Sequence, residues 1–213
     1  GNIELTDFYS DKTFEAVEFT YNLQRIEILQ ILSLDTAAYW PKKTILLNRS
    51  NSAINGHQII DYDLDGKQDI LLFRRDGIEV LTNQGDLNFK VDFYAAPESF
   101  QVKLVKDLTG DGLLDFLVNY NGTGTGEPMR IFSILDNSIQ VTQTDIAFSN
   151  SNVQYIDIDN DGLPDVITGD INVYRNTGGG SFELSSSIQS PILGFFNKIE
   201  SWDFDLDGDV DIV

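Results

Sequence analysis

The sequence predicts an all-β chain of repeated four-stranded antiparallel units, and three observations carry that expectation. A nine-residue aspartate pattern recurs four times, and a decayed copy lies near the start. Each good copy is followed by a short run rich in β-branched and aromatic residues, and no helical period replaces it. The copies begin at positions 7, 61, 107, 157 and 203, giving steps of 54, 46, 50 and 46 residues, a period in the range of propeller blades and similar arrays.

The chain has 213 residues, 41% of them hydrophobic, enough to bury a sizeable core, so disorder is excluded as the main state. Against 34 Asp and Glu stand 14 Lys and Arg, a formal charge of −20. A nucleic-acid surface would have to overcome repulsion from phosphate. With one histidine, His57, and no cysteine, thiolate catalysis, cysteine-based zinc sites and disulfides are all excluded. No run of about 18 apolar residues and no charged-then-apolar leader is present in this sequence. Any membrane attachment is expected through segments outside it.

The four good copies place oxygen-bearing residues at loop positions 1, 3, 5 and 9, glycine at 6 and an apolar residue at 10. They are Asp61, Asp63, Asp65 and Asp69; Asp107, Thr109, Asp111 and Asp115; Asp157, Asp159, Asp161 and Asp165; and Asp203, Asp205, Asp207 and Asp211. Three or four carboxylates in so short a loop repel one another by several kcal/mol per pair at an effective dielectric of about 20, unless a cation sits between them. All-oxygen ligands at alternating positions suit a hard cation, and calcium fits better than magnesium, which keeps its waters. The backbone carbonyl at position 7 (Lys67, Leu113, Leu163, Asp209) is expected to add an oxygen. An EF-hand opens the same way but needs a bidentate Glu at position 12, where this chain has Leu72, Val118 and Thr168. A dockerin-type loop fails on the same requirement.

Taken in order, the repeats run over about 1–53, 54–100, 101–150, 151–196 and 197–213, the last incomplete. In each, a first strand precedes the loop, as in Gln58–Ile60, Val102–Val105 and Val153–Ile156. A second follows it, in Asp69–Phe73, Asp115–Val118, Asp165–Ile167 and Asp211–Val213. A third covers Ile78–Leu81, Arg130–Ile134 or Asn172–Tyr174, and a last begins near Phe89, Ile139 or Phe182. Asn83-Gln-Gly85 and Asn176-Thr-Gly-Gly-Gly180 supply positive φ at the hairpin tips between them. Four short strands per repeat, with the metal loop between the first and second, predict β-propeller blades. About four and a half blades are present, so the chain is expected to be the N-terminal part of a larger, seven-bladed-type propeller.

These loops and their strand flanks resemble the FG-GAP/VCBS repeat family, whose calcium-loop blades occur in integrin α-chain heads, in some fungal and bacterial lectins and in bacterial surface proteins. The resemblance spans the whole chain. Asp7-Phe-Tyr-Ser-Asp-Lys12 and Ala38-Tyr-Trp-Pro-Lys-Lys43, the latter placed before the last strand of the first blade, look like the first blade of the T-cell immunomodulatory protein and its relatives. That similarity implies the extracellular or lumenal ectodomain of a single-pass membrane protein.

Two copies depart from the pattern. At Asp7, Tyr9 replaces the third ligand and Lys12 replaces glycine, so its ammonium is expected to substitute for the cation and leave that loop empty. At Asp107, Thr109 contributes a neutral oxygen, and weaker binding is expected. Four occupied sites would add +8 and bring −20 to −12. Each closed loop has no evident open position or adjacent base, so the ions are expected to be structural and the protein non-enzymatic. His57 lacks a Ser, Cys or second His to work with and reads as a loop or surface residue. Asn121-Gly-Thr-Gly-Thr-Gly126 lacks the spacing and following helix of a phosphate loop.

In the family's geometry, ligands contact the face opposite calcium, which implies Arg74, Arg75, Tyr94, Tyr120, Asn121 and Phe195 as contact residues. Asn48-Arg-Ser50 and Asn121-Gly-Thr123 fit the N-glycosylation pattern. Calcium near millimolar outside the cell would fill weak all-oxygen sites, which favours an extracellular or secretory-pathway setting. The expected role is a protein-interaction or adhesion platform. The alternatives are a carbohydrate-binding propeller, although Trp40 and Trp202 occupy different blade positions, and the accessory propeller of a polysaccharide-active enzyme. Intact mass spectrometry of the full-length protein is expected to give a mass well above the 23.9 kDa of this sequence; a mass near that value would exclude the larger propeller.

Overall fold

The computed structural model describes residues 2–8, 15–20, 25–33, 38–47, 52–120, 127–147, 153–168, 172–187, 201–202 and 211–212. Their regular structure is all strand. They form four four-stranded antiparallel sheets, each in sequential order, and one two-stranded hairpin. The chain divides into two compact units, Gly1–Pro97 and Glu98–Val213.

The first unit holds two blades. One consists of β1 (Asn2–Thr6), β2 (Glu15–Thr20), β3 (Arg25–Ser33) and β4 (Ala38–Leu46), and the other of β5 (Ile54–Ile60), β6 (Asp69–Arg74), β7 (Gly77–Asn83) and β8 (Phe89–Ala95). The stretch from Ala38 to Lys43, expected before the last strand of the first blade, lies within β4 itself. Among the described residues β4 pairs with β3 alone, an edge position of the sheet at which Pro41 is tolerated.

Every residue of β6 is buried, whereas β8 is largely half-exposed or exposed. That gradient explains why the second strand of a blade reads as an unbroken apolar run while the last alternates: β6 is covered on both faces. The core of this unit joins Val17, Phe19 and Ile26 of the first blade to Ile70, Leu72 and Leu81 of the second. His57, the one histidine, is no loose surface residue. Its ring stacks on Phe19 with centroids 3.7 Å apart, and its Nε2 lies 2.7 Å from Glu4 Oε1, so it links the two blades.

The second unit holds β9 (Phe100–Lys106), β10 (Asp115–Tyr120), β11 (Arg130–Leu135) and β12 (Ser138–Gln143) in one blade. The next comprises β13 (Val153–Ile156), β14 (Asp165–Thr168), β15 (Asn172–Gly178) and β16 (Ser181–Ser187), and the hairpin pairs β17 (Ser201–Trp202) with β18 (Asp211–Ile212). The third blade therefore opens at Phe100, one residue before the expected boundary. Leu117, Met129 and Ile131 pack with Val166, Tyr174 and Phe182 in a core shared by the two full blades. Between them Lys106 Nζ sits 4.4 Å above the Tyr155 ring.

Among the buried polar groups of the first unit is a fully enclosed ion pair. Arg74, at the end of β6, has 0% side-chain exposure and donates from Nε to Glu79 Oε2 at 2.7 Å and from Nη1 to the Ser52 carbonyl at 2.8 Å. Glu79 faces it across the β6–β7 turn, also buried. Removing one member of such a pair leaves the other buried and uncompensated, at a cost of about 3–5 kcal/mol, whereas replacing both with apolar groups is close to neutral. Arg74→Met is thus expected to lower stability by about that amount in chemical denaturation, and the double variant Arg74→Met/Glu79→Leu to recover most of it.

Candidate metal centres

Three aspartate loops are described, at Asp61, Asp107 and Asp157, and each joins the first strand of its blade to the second. Glycine at position 6 has the same φ of 88° in Gly66, Gly112 and Gly162, a left-handed conformation that glycine adopts without steric cost. Position 4 is left-handed too, at Leu64, Gly110 and Asn160, with φ of 59°, 78° and 56°. The aspartate at position 1 accepts the glycine amide in every loop: Gly66, Gly112 and Gly162 donate to Asp61, Asp107 and Asp157 at 2.9, 2.9 and 3.0 Å. Position 5 accepts from position 7, through the amides of Lys67, Leu113 and Leu163. The sharp turn is therefore built by the same carboxylates that were read as ligands.

Position 9 has a further role. Asp69, Asp115 and Asp165 are at most 1% exposed, and each accepts the backbone amide of position 2, from Tyr62, Leu108 and Ile158 at 2.8, 2.9 and 2.8 Å. The other oxygen reaches the third strand, accepting Asn83 N and Asn176 N at 2.7 Å each, or the Ser133 hydroxyl at 2.5 Å. Burial pushes all three carboxyls above the usual range, against the hydrogen bonds that pull them down. At the decayed first copy the buried Glu15 takes the position-2 amide in the same way, its Oε2 accepting Phe8 N at 3.1 Å.

Two oxygens that each lie about 2.4 Å from one calcium are at most about 4.8 Å apart. One carboxylate oxygen from each of Asp61, Asp63 and Asp65 meets that limit, and so does one from each of Asp157, Asp159 and Asp165. The donor set therefore fits a hard cation at these two loops. Each also carries a basic neighbour: Lys67 Nζ bonds Asp65 and holds its carboxyl low, and Arg175 Nε lies 2.5 Å from Asp159 Oδ2.

The loop at Asp107 differs. Among the described residues no three of its carboxylate oxygens come that close. Thr109 turns both its amide and its hydroxyl to Asp115 Oδ2, at 2.9 and 3.0 Å, and Asp107 Oδ1 accepts Gly110 N at 2.7 Å, not the position-5 amide bound in the other two loops. The three-carboxylate convergence of the other two loops is thus missing here.

The family model for the FG-GAP-like repeat matches residues 61–118 and 157–213, together more than half of the chain. The chain belongs to the FG-GAP-like repeat family. Both matches begin at the first aspartate of a loop whose carboxylates converge. No curated protein matches by sequence.

Among solved structures, an Agrocybe aegerita lectin that recognises non-reducing terminal N-acetylglucosamine is 18% identical, with a TM-score of 0.57 over 85% of this chain and 51% of the lectin. A chain of the Photorhabdus luminescens Tc holotoxin pore is 16% identical, with a TM-score of 0.56 over 99% of this chain and 10% of that one. At such identities the likeness is one of fold. This FG-GAP-like chain spans about half of the lectin and a tenth of the toxin chain.

The expected ligand face needs correction at two residues. Arg74 is enclosed by Glu79 and Ser52, so its guanidinium is not open to a ligand. Tyr120 is 8% exposed, packed on Phe132 with the Arg130 guanidinium 4.2 Å above its ring. Both end a second strand, where burial on two faces extends to the last residue. Arg75 is exposed in the β6–β7 turn and Tyr94 is half-buried in β8. Asn48, Asn121, Phe195, Asp203, Asp205, Asp207 and Asp209 lie outside the described residues, as does the side chain of Asp211.

At the loop of Asp61, position 5 belongs to the converging set and position 9 does not, so the two separate metal-dependent from structural roles. Asp69→Ala leaves the Tyr62 and Asn83 amides without their acceptor and is expected to cost about 2–4 kcal/mol with or without calcium. Asp65→Asn, which removes a charge from the converging set and keeps an oxygen for the Lys67 amide, is expected to leave the EDTA melt nearly unchanged and to weaken the response to calcium. Paired thermal melts in calcium and in EDTA measure both effects.

Proposed function

We propose that this FG-GAP-like chain is a non-enzymatic, calcium-stabilised propeller ectodomain that presents its variable turns to a protein partner. The observation that carries the reading is the convergence of three carboxylate oxygens within 4.8 Å at each of two loops that join the first and second strands of a blade. A cation there would neutralise the most concentrated repulsion in a chain of charge −20 and clamp the two strands together. Asp61, Asp63 and Asp65 would hold one ion and Asp157, Asp159 and Asp165 another, and the loop at Asp203 carries the same ligand types by sequence.

A binding role rather than catalysis is favoured by how the chemically able groups are spent. The carboxylates that could serve as acid or base are tied into turns, and His57 is engaged with Glu4 and stacked on Phe19. Millimolar calcium outside the cell suits exposed all-oxygen loops, so we place the chain in an extracellular or secretory-pathway setting, as the ectodomain of a single-pass protein anchored by segments outside this sequence. Among the described residues no helix is long and apolar enough to cross a membrane. Adhesion is the form of partnering that the family resemblance suggests. Glycan binding is the second reading, prompted by the fold shared with the Agrocybe lectin.

A calcium titration against EDTA, followed by thermal melting and calorimetric ion counting, tests the proposal. A site with a dissociation constant near 10 μM adds about 2.7 kcal/mol at 1 mM calcium, so several degrees of upward shift are expected. No bound ion and no shift would overturn it. Binding of the calcium-loaded protein to glycan arrays but not to cell-surface proteins would favour the second reading.

A further inference from the structure

We propose that the loop at Asp107 is held in shape by the neighbouring blade instead of by a cation, through a latch built from Asn176 and the glycine turn that follows it. The inference rests on the calcium reading for its metal count and on hydrogen bonds alone for the latch.

Asn176 lies on β15 with 0% exposure and makes four kinds of contact at once. Its amide donates to Asp165, and its Oδ1 accepts Gly178 N at 2.9 Å, which shapes its own hairpin. Its Nδ2 donates to the Pro164 carbonyl at 3.1 Å and, 68 residues away, to the Leu108 carbonyl at 3.0 Å. Leu108 is position 2 of the loop at Asp107 and is fully buried in the core shared by the two blades. Next to this bond, Gly179 N donates to the Thr109 carbonyl at 3.0 Å. Gly178, Gly179 and Gly180 all have positive φ, and a Cβ on Gly180 would meet Ile131 and Thr142 at 3.2 Å, so the turn can lie this close only without side chains.

The same device recurs in the first unit. Asn83 donates its amide to Asp69, accepts Gly85 N on Oδ1 at 3.0 Å, and donates from Nδ2 to the Phe8 carbonyl at 3.3 Å. Phe8 is position 2 of the decayed copy, 2% exposed and edge-on to Phe89. The two loops gripped in this way, at Asp7 and Asp107, are the two whose ligand sets depart from the full pattern. In the third blade the equivalent turn is Asp136-Asn137, and Asp115 takes its third-strand donor from the Ser133 hydroxyl, where Asp69 and Asp165 take an asparagine amide. A protein clamp thus replaces an ion clamp where the ligands have been lost.

Two measurements on the full chain test this. In EDTA, hydrogen exchange by mass spectrometry across residues 107–113 is expected to accelerate about tenfold in Asn176→Ala, although the substitution lies in the next blade. Asn176→Asp, which keeps the Oδ1 acceptor and loses both Nδ2 donations, should do the same and stands in if the alanine variant fails to fold. Unchanged exchange there in a folded variant would overturn the latch. Calorimetry with calcium alone is expected to count the same number of ions for wild type and Asp111→Asn, whereas Asp65→Asn and Asp159→Asn each remove or weaken one. One ion fewer in Asp111→Asn would overturn the claim that this loop takes no calcium. A wild type that binds no calcium would sink the metal reading by itself, and the exchange result would then decide the latch alone.

Discussion

The arrangement of each blade depends on one buried carboxylate. Asp69, Asp115 and Asp165 sit beneath their loops, taking the position-2 amide on one oxygen and a donor from the third strand on the other. Such a group ties together three pieces of chain that share no continuous sheet ladder at that point. It does so in a buried setting where an unmet amide would cost about 1–3 kcal/mol. Glu15 keeps the first half of this role, accepting the position-2 amide, in the copy that has lost its glycine and its third ligand.

Above the staple, the remaining aspartates have two duties that do not conflict. Position 1 accepts the amide of the glycine and position 5 that of the residue after it, which closes the turn and aims other oxygens into one small volume. For the cation proposed there, the ligands would already be ordered by folding, so that cost would not fall on binding. Where Thr109 diverts its hydroxyl to Asp115, the turn remains and the convergence is lost, which separates the two duties in a single substitution.

Neighbouring blades are joined by more than apolar packing. In the first unit, His57 with Glu4 and Asn83 with Phe8 bridge two sheets whose buried faces are otherwise Val, Ile, Leu and Phe. In the second, Asn176 with Leu108 and Lys106 over Tyr155 do the same. Directional contacts of this kind fix the register of one apolar face on another, which non-directional burial leaves free to slide.

The strands of each described blade, the hairpin turns and the carboxylate-closed loops were legible in the sequence, because each is encoded by residues within about ten positions of one another. Alternation, turn glycines and aspartate spacing act through local backbone geometry, and they reappear where they were read. What only the tertiary structure decided are matters of contact between residues far apart in the chain. Arg74 and Tyr120 look like exposed loop-end residues by position, yet burial on both faces of the second strand encloses them. Asn83 and Asn176 read as hairpin residues, and their Asn-Xaa-Gly spacing was the available signal, but their grip on a carbonyl 68 or more residues away has no local signature. The convergence of oxygens at Asp61 and Asp157 and its loss at Asp107 also depend on where side chains point once the blade has closed, which spacing alone does not specify.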